Sequence, residues 1–389
     1  MQRLFRRLLA TLPMVVLAVL VIAVGSREPT AAGTEPPGEL GFRTELFLRT
    51  GNDGWFDTSD RAAVVAAYQR EFGGLNPVLE WTGDHHSCEP GTSSRRSRLA
   101  SIRRVNYYRA MAGVPAIVTE DPELTAKAQS AAIMMSVEGT LTHSPSPDFA
   151  CFTPTGQLAA ANSNLYLGRT GTEAIDGYIE DPGAGNIDVG HRNTILHPPT
   201  QKMGIGNVDG SSTGHAANAL WVFDDHVFDE TSVQRPRVRE ADRFVAWPPR
   251  GHVPSELIHP RWSFMLAGAD FSSAEVSLYR MRSRSARTVP VEVVARVGTS
   301  GHVPLPTIVW EPDLDSDFVV DETYLVVISG VGAWVGPLSA ENGAFDLVSL
   351  GSPGPSIASS YSYYVRVIGD DQLRTILPAR SVNSGARLS

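Results

Sequence analysis

Near Arg239 the hydrophobic pattern of this 389-residue chain changes period, and that change constrains its fold more than any other feature. Before it, apolar residues return every three or four positions. Ala63, Val64, Ala67 and Tyr68 do so, as do Leu99, Ile102, Val105 and Tyr108, then Leu124, Ala128, Ala131, Ala132 and Met135. This is the spacing of helices buried on one face. After it come short alternating runs separated by turn residues: Val245-Ala246-Trp247, Trp262-Ser263-Phe264, Val276-Ser277-Leu278, Val291-Glu292-Val293, Thr307 to Trp310, Tyr324 to Ile328 and Phe345 to Val348. Such runs predict a small β-sandwich over residues 240–350. The length suits two domains plus tails.

Local signals place the elements. Asp57-Thr58-Ser59-Asp60 should cap a helix running to about Phe72, within an N-terminal extension of residues 41–95. Gly113 and Pro115 end the next helix, and Asp121-Pro122-Glu123 restarts one with a capping aspartate, a proline in the first turn and an acidic residue behind it. A short helix is expected around Leu158 to Tyr166, and another capped by Thr172 and stopped by Pro182-Gly183. Gly190 to Leu196 reads as a short helical turn closed at Pro198-Pro199. Lys202 to Val208 and Ala216 to Phe223 read as two strands of a hairpin. Residues 351–389 read as a tail, with Tyr361 to Val365 able to add an edge strand.

The first 26 residues read as a targeting segment. Arg3, Arg6 and Arg7 precede a nearly unbroken apolar run from Leu8 to Val24, with small residues at Ala23, Gly25 and Ser26 for cleavage. The alternative is an uncleaved membrane anchor, giving membrane association through residues 1–26. Either way the rest of the chain is expected to be exported, after a Pro-, Gly- and Ala-rich linker over residues 27–40. In an oxidising compartment Cys88 and Cys151 most simply form a disulfide, worth up to about 4 kcal/mol in the chain-entropy model. Two unpaired buried thiols are the alternative. The net charge of −9, with no basic run beyond the leader, argues against a nucleic-acid partner.

Five pieces in order carry a resemblance: Asn106-Tyr107-Tyr108-Arg109 with Gly113; Ala128-Gln129 with Ala131-Ala132; His143-Ser144-Pro145; Gly190-His191-Arg192 with Ile195-Leu196; and Met203-Gly204-Ile205-Gly206. Together residues 99–224 resemble the CAP superfamily, which includes cysteine-rich secretory proteins, venom antigens and pathogenesis-related proteins. The resemblance implies an α+β class: a CAP-type α–β–α sandwich over residues 96–228, here followed by the small all-β (Ig-like) sandwich. It also implies a cleft lined by two histidines and two acids. The histidines map to His143 and His191. One acid falls at Glu180 or Asp181, with Glu180 preferred. Where relatives carry Gly-Glu-Asn, this chain has Asn162-Ser163-Asn164, so a second carboxylate has become Ser163.

That departure weakens a metal site. Zinc takes three or four ligands and orienting partners behind them, whereas only His143 and His191 are offered here. A divalent metal such as zinc on these histidines stands against a solvated polar network. Gly210-Ser211-Ser212-Thr213-Gly214 matches the pattern of a nucleophile elbow, but that turn leads from a strand into a helix. A strand follows here, so a hairpin turn is expected. His85 and His86 beside Cys88 read either as a metal tract or as a loop pinned by the disulfide. The preferred function is a non-enzymatic one, binding a lipid, sterol or cell-envelope component. A hydrolase using His143 and His191, and an adhesion module acting through the sandwich, are the alternatives.

Overall fold

Side chains at the caps explain where the first four helices begin. The computed structural model describes residues 56–72, 76–225, 244–283, 285–299, 303–314, 321–333, 357–369 and 373. The expected leader, the linker and the Phe345–Val348 strand lie outside them. Asp60 accepts from the amides of Ala62 and Ala63 to open α1 (Arg61–Glu71). Ser94 accepts from Ser97 to open α2 (Arg95–Met111), and Asp121, with Pro122 behind it, opens α3 (Pro122–Glu138). Gly139, in the left-handed region at φ 70°, ends α3.

The fourth helix departs from expectation. Thr153 caps α4 (Pro154–Ala161), so the helix starts before the apolar run and stops at Asn162. Ser163–Leu167, expected to be helical to Tyr166, is strand β2. Its pairing partner lies some fifty residues away, so local period could not show it. The helix expected to be capped by Thr172 begins earlier, as α5 (Gly171–Glu180) after Thr170, and α6 spans Gly190–Ile195.

With β1 (Thr119–Glu120), β3 (Lys202–Val208) and β4 (Ala217–Trp221), strand β2 builds a sheet ordered β1-β3-β4-β2. The β1–β3 pair is parallel; the other pairs are antiparallel. The chain after β3 alternates strictly. Ala217, Ala219 and Trp221 join a core with α3 and α4, while Leu220 and Val222 join the opposite core with α2 and α5. Two glycines of β3 make the first packing possible. A Cβ on Gly204 would sit 2.2 Å from the Leu124 carbonyl carbon, and one on Gly206 2.3 Å from the Ala128 oxygen, both on α3. The glycines thus admit a helix against the sheet. The result is an α–β–α sandwich.

Beyond it come β5 (Val245–Trp247), β6 (Gly251–Pro254), β7 (Trp262–Met265), β8 (Ala269–Asp270), β9 (Glu275–Arg282) and β10 (Ser285–Val289). They continue with β11 (Val291–Val297), β12 (Thr307–Pro312), β13 (Thr323–Ser329), β14 (Gly332–Ala333) and β15 (Ser360–Ile368). One sheet is ordered β10-β9-β13-β15-β6 and the other β11-β12-β7-β5, with β8 and β14 as a small separate pair. Rings from the two sheets meet: Phe264 with Tyr361 at 5.3 Å and Trp262 with Tyr324 at 6.0 Å. The strand expected at a tail edge is β15. It is internal, antiparallel to β13 and parallel to β6, because its alternation continues past Val365 to buried Val367. The sandwich therefore reaches at least Ile368, not 350.

One apolar core runs through both parts, from Val105 and Tyr108 of α2 to Trp247, Trp262 and Phe264. Tyr108 and Trp247 touch edge to face at 5.3 Å. Helix α1 joins both: Glu71 pairs with Arg103 of α2, and Arg61 with Asp321 beside β13. Cys88 and Cys151 form the disulfide, 63 residues apart in sequence.

Candidate functional site

The end of α5 makes half of a cleft. Asp181 leaves the helix in the left-handed region (φ 55°, ψ 54°), where a non-glycine residue is uncommon, and this turn carries its carboxylate back to the start of α6. Helix α6 has no cap from its own N-terminal neighbour. Asp181 supplies one: Oδ2 accepts from the amides of His191 (3.0 Å) and Arg192 (3.3 Å). Its Oδ1 accepts from Nδ1 of His191 at 2.8 Å. A buried carboxylate at a helix N-terminus thereby holds the imidazole as well as the helix.

The other half follows α3. His143 lies in the loop beyond Gly139, and its Nδ1 is 2.8 Å from the Ala160 carbonyl at the end of α4. A carbonyl only accepts, so Nδ1 carries a proton. The same holds for His191 against the Asp181 carboxylate. Both imidazoles are thus committed through Nδ1–H. They line one cleft of about 310 Å³, walled by Leu141, Leu165, Leu167, Tyr166, Tyr178 and Pro182. Tyr178 is already spent, with its hydroxyl among Asn164 and Asn218 oxygens. Burial pushes that hydroxyl well above the usual tyrosine range.

Not every expected residue joins them. Glu180, the preferred acid, lies outside the cleft and faces Arg169 at 3.4 Å. Asp181 holds the position instead. The register next to Pro182 decides it, since only the residue in the left-handed turn points back to α6. Ser163 is buried in β2, outside the lining, and its hydroxyl has no hydrogen-bond partner. Among the described residues no group of three or more His, Cys, Asp or Glu could hold a metal ion. Asp181 spends both oxygens on α6, so of the histidines and carboxylates lining the cleft His143 and His191 remain as donors. This set does not fit a zinc site. His85, in the candidate metal tract, instead contacts the hydroxyls of Ser136 and Ser211.

Sequence reading missed what stands behind His191. Arg192 is fully buried, and its guanidinium donates to the carbonyls of Ile179, Glu180 and Arg261 and to Ser263 Oγ. Burial lowers its pKa to about 10, leaving it cationic at neutral pH. Asn193 exchanges hydrogen bonds with the backbone of Leu305 and also donates to Thr307 Oγ1. Arg261, from the sandwich, donates to the carbonyls of Asp181 (3.0 Å), Gly183 (2.8 Å) and Asn186 (3.0 Å). The loop that forms the cleft rim is therefore fastened by the second domain. The only sequence hint was an arginine following His191 on a short apolar turn. On the far side, Arg109 of α2 is likewise buried, donating to the carbonyls of Pro115, Ile195, His197, Pro198 and Thr200.

The Gly210–Gly214 segment joins β3 to β4 as a turn, with Ser211 and Gly214 bridged, and no helix follows it. No helix among the described residues is long and apolar enough to cross a membrane. No curated protein is significantly similar to the chain. The family model of the cysteine-rich secretory protein family, CAP, matches residues 102–224, the span holding α3 to α6, the four-stranded sheet and both cleft histidines. With that match and the α–β–α architecture, residues 102–224 of the chain form a CAP domain.

Proposed function

We propose that this is an exported CAP-domain protein whose cleft holds a small amphipathic molecule, a lipid, sterol or envelope component, without transforming it. The carrying observation is the imidazole of His191, held through Nδ1–H by Asp181, in an apolar-walled cleft that His143 also lines. Such a site accepts hydrogen bonds from ligand hydroxyls while leucine, tyrosine and proline side chains cover a hydrocarbon body. Its volume stands at the small end of ligand pockets. Export rests on the leader and on the secretory character of the family. No nucleic-acid partner fits the charge.

The test is organic extraction of the purified exported protein with mass spectrometry of what it carries, followed by uptake of a fluorescent sterol and a fluorescent fatty alcohol. The reading expects saturable uptake, weakened about tenfold in His191→Ala through loss of one hydrogen bond. No carried lipid and no uptake of either probe would overturn it.

A second reading has one observation in its favour: the Asp181–His191 pair orients an imidazole as a general base would require. A hydrolase working there would have to activate water, since Tyr178 is engaged and Thr142 Oγ1 accepts from the Ser144 amide. Hydrolysis of peptide or envelope-glycan substrates, lost in both His143→Ala and His191→Ala, would place this reading first.

A further inference from the structure

A second histidine constellation lies away from the cleft, and none of its members lines it. His85 sits in the loop that Asp84 and Glu89 close by mutual backbone hydrogen bonds and that the Cys88–Cys151 disulfide ties down. The residue is only 7 % exposed. Its ring lies against Gly214, where a Cβ would come within 2.1 Å of Cδ2, and edge to face with Trp81. Two hydroxyls meet this ring. Ser136 Oγ, fully buried near the end of α3, is 2.9 Å from Nε2, and Ser211 Oγ, exposed on the β3–β4 turn, is 3.1 Å from Nδ1.

The hydrogen-bond chain dictates where the protons are. Ser136 donates its only hydroxyl proton to the His215 carbonyl at 2.5 Å. It can then only accept from His85, so Nε2 carries the imidazole proton and Nδ1 the lone pair. The Ser211 hydroxyl therefore donates to Nδ1. Its oxygen also accepts from the Thr213 amide at 3.1 Å, and the Thr213 hydroxyl lies 3.2 Å away. A hydroxyl facing an imidazole nitrogen, with that imidazole oriented by a third group, is the arrangement of an activated nucleophile.

We infer that Ser211 is a nucleophilic serine, with His85 as its base and Ser136 positioning that base, acting on carboxylic esters. Ser211 Oγ bonds to the ester carbonyl carbon as its proton moves to His85 Nδ1. The tetrahedral adduct then breaks its bond to the alkoxy oxygen, which leaves with that proton. Water, giving a proton to the same nitrogen, cleaves the acyl-serine; that proton returns to Ser211 as the acid departs. The serine is the first of the turn, not Ser212, which the Gly-x-Ser-x-Gly pattern would nominate. Its exposed place on the turn suits an ester displayed on a large molecule, such as an O-acylated polymer.

The test is labelling of the whole exported protein with a fluorophosphonate, which forms an Oγ–phosphorus bond and expels fluoride, read by peptide mass spectrometry. The adduct should sit on Ser211, disappear in Ser211→Ala, persist in Ser212→Ala, and form at least about 100-fold more slowly in His85→Gln. Ser136→Ala, which removes the acceptor for Nε2–H, should displace the pH profile of labelling. Ser211→Ala lies on an exposed turn, so its unchanged circular dichroism and melting temperature separate loss of labelling from loss of fold. Hydrolysis of p-nitrophenyl acetate should exceed that of Ser211→Ala. No adduct on Ser211 in folded wild-type protein, or equal labelling rates with and without His85, would overturn the proposal.

Discussion

The two walls of the cleft differ in what stands behind them. The His191 wall is backed by a buried carboxylate, a fully buried arginine and a second domain: Asp181 caps α6, Arg192 reaches Ser263, and Arg261 holds the rim loop by three carbonyls. The His143 wall is a loop after α3, with its ring held to the Ala160 carbonyl. One histidine is thus set by a joint between domains and the other by a local turn. The comparison teaches that the sandwich takes part in building the site, although it lies outside the residues that match the family.

The sharpest way to break the comparison is Arg192→Met. It leaves the Ile179, Glu180 and Arg261 carbonyls and the Ser263 hydroxyl without their donor at a buried joint, and it should cost about 3–5 kcal/mol in urea unfolding. A cost below about 1 kcal/mol would mean that the joint does not support the wall. Next in size is Asp181→Ala, which removes the α6 cap and the imidazole partner together. About 2 kcal/mol is expected, with faster amide exchange confined to residues 190–192.

Acid should find the same wall. His259 adjoins Arg192, and its Nε2 is buried without a partner. Burial, with the nearby Arg192 cation, lowers its pKa from 6.5 to about 3. The unfolded chain therefore binds this proton first. The contribution of neutral His259 is complete above pH 6.5 and is lost progressively as pH falls toward 3, by about 1 kcal/mol at pH 5.5. His259→Leu should flatten that part of the stability–pH curve; an unchanged curve would contradict the burial argument. The smallest effect belongs to the other wall. His143→Ala should cost about 0.5 kcal/mol while still weakening ligand uptake.

Much of this was legible in sequence because the signals were local. The caps at Asp60 and Asp121, the glycine stop at Gly139 and the Lys202–Val208 strand each depend on a few neighbouring residues. The misreadings depended on distant partners. Ser163–Leu167 became a strand by pairing with β4, and Ser360–Ile368 became internal because β6, more than a hundred residues upstream, lies beside it. At the cleft, residue type identified His143 and His191 for inspection, whereas the choice between Glu180 and Asp181 turned on one left-handed residue. Arg261 could not be singled out at all, since its role consists of three carbonyls on a loop some eighty residues earlier.

The most direct test of the cleft is a long-range proton–nitrogen correlation spectrum of its imidazoles. In that spectrum His143 and His191 should both show a protonated Nδ1, the atom that faces the Ala160 carbonyl in one ring and the Asp181 carboxylate in the other. A protonated Nε2 with a bare Nδ1 on either ring would contradict the account, because the Nδ1 contacts that hold the two rings in the cleft would not exist.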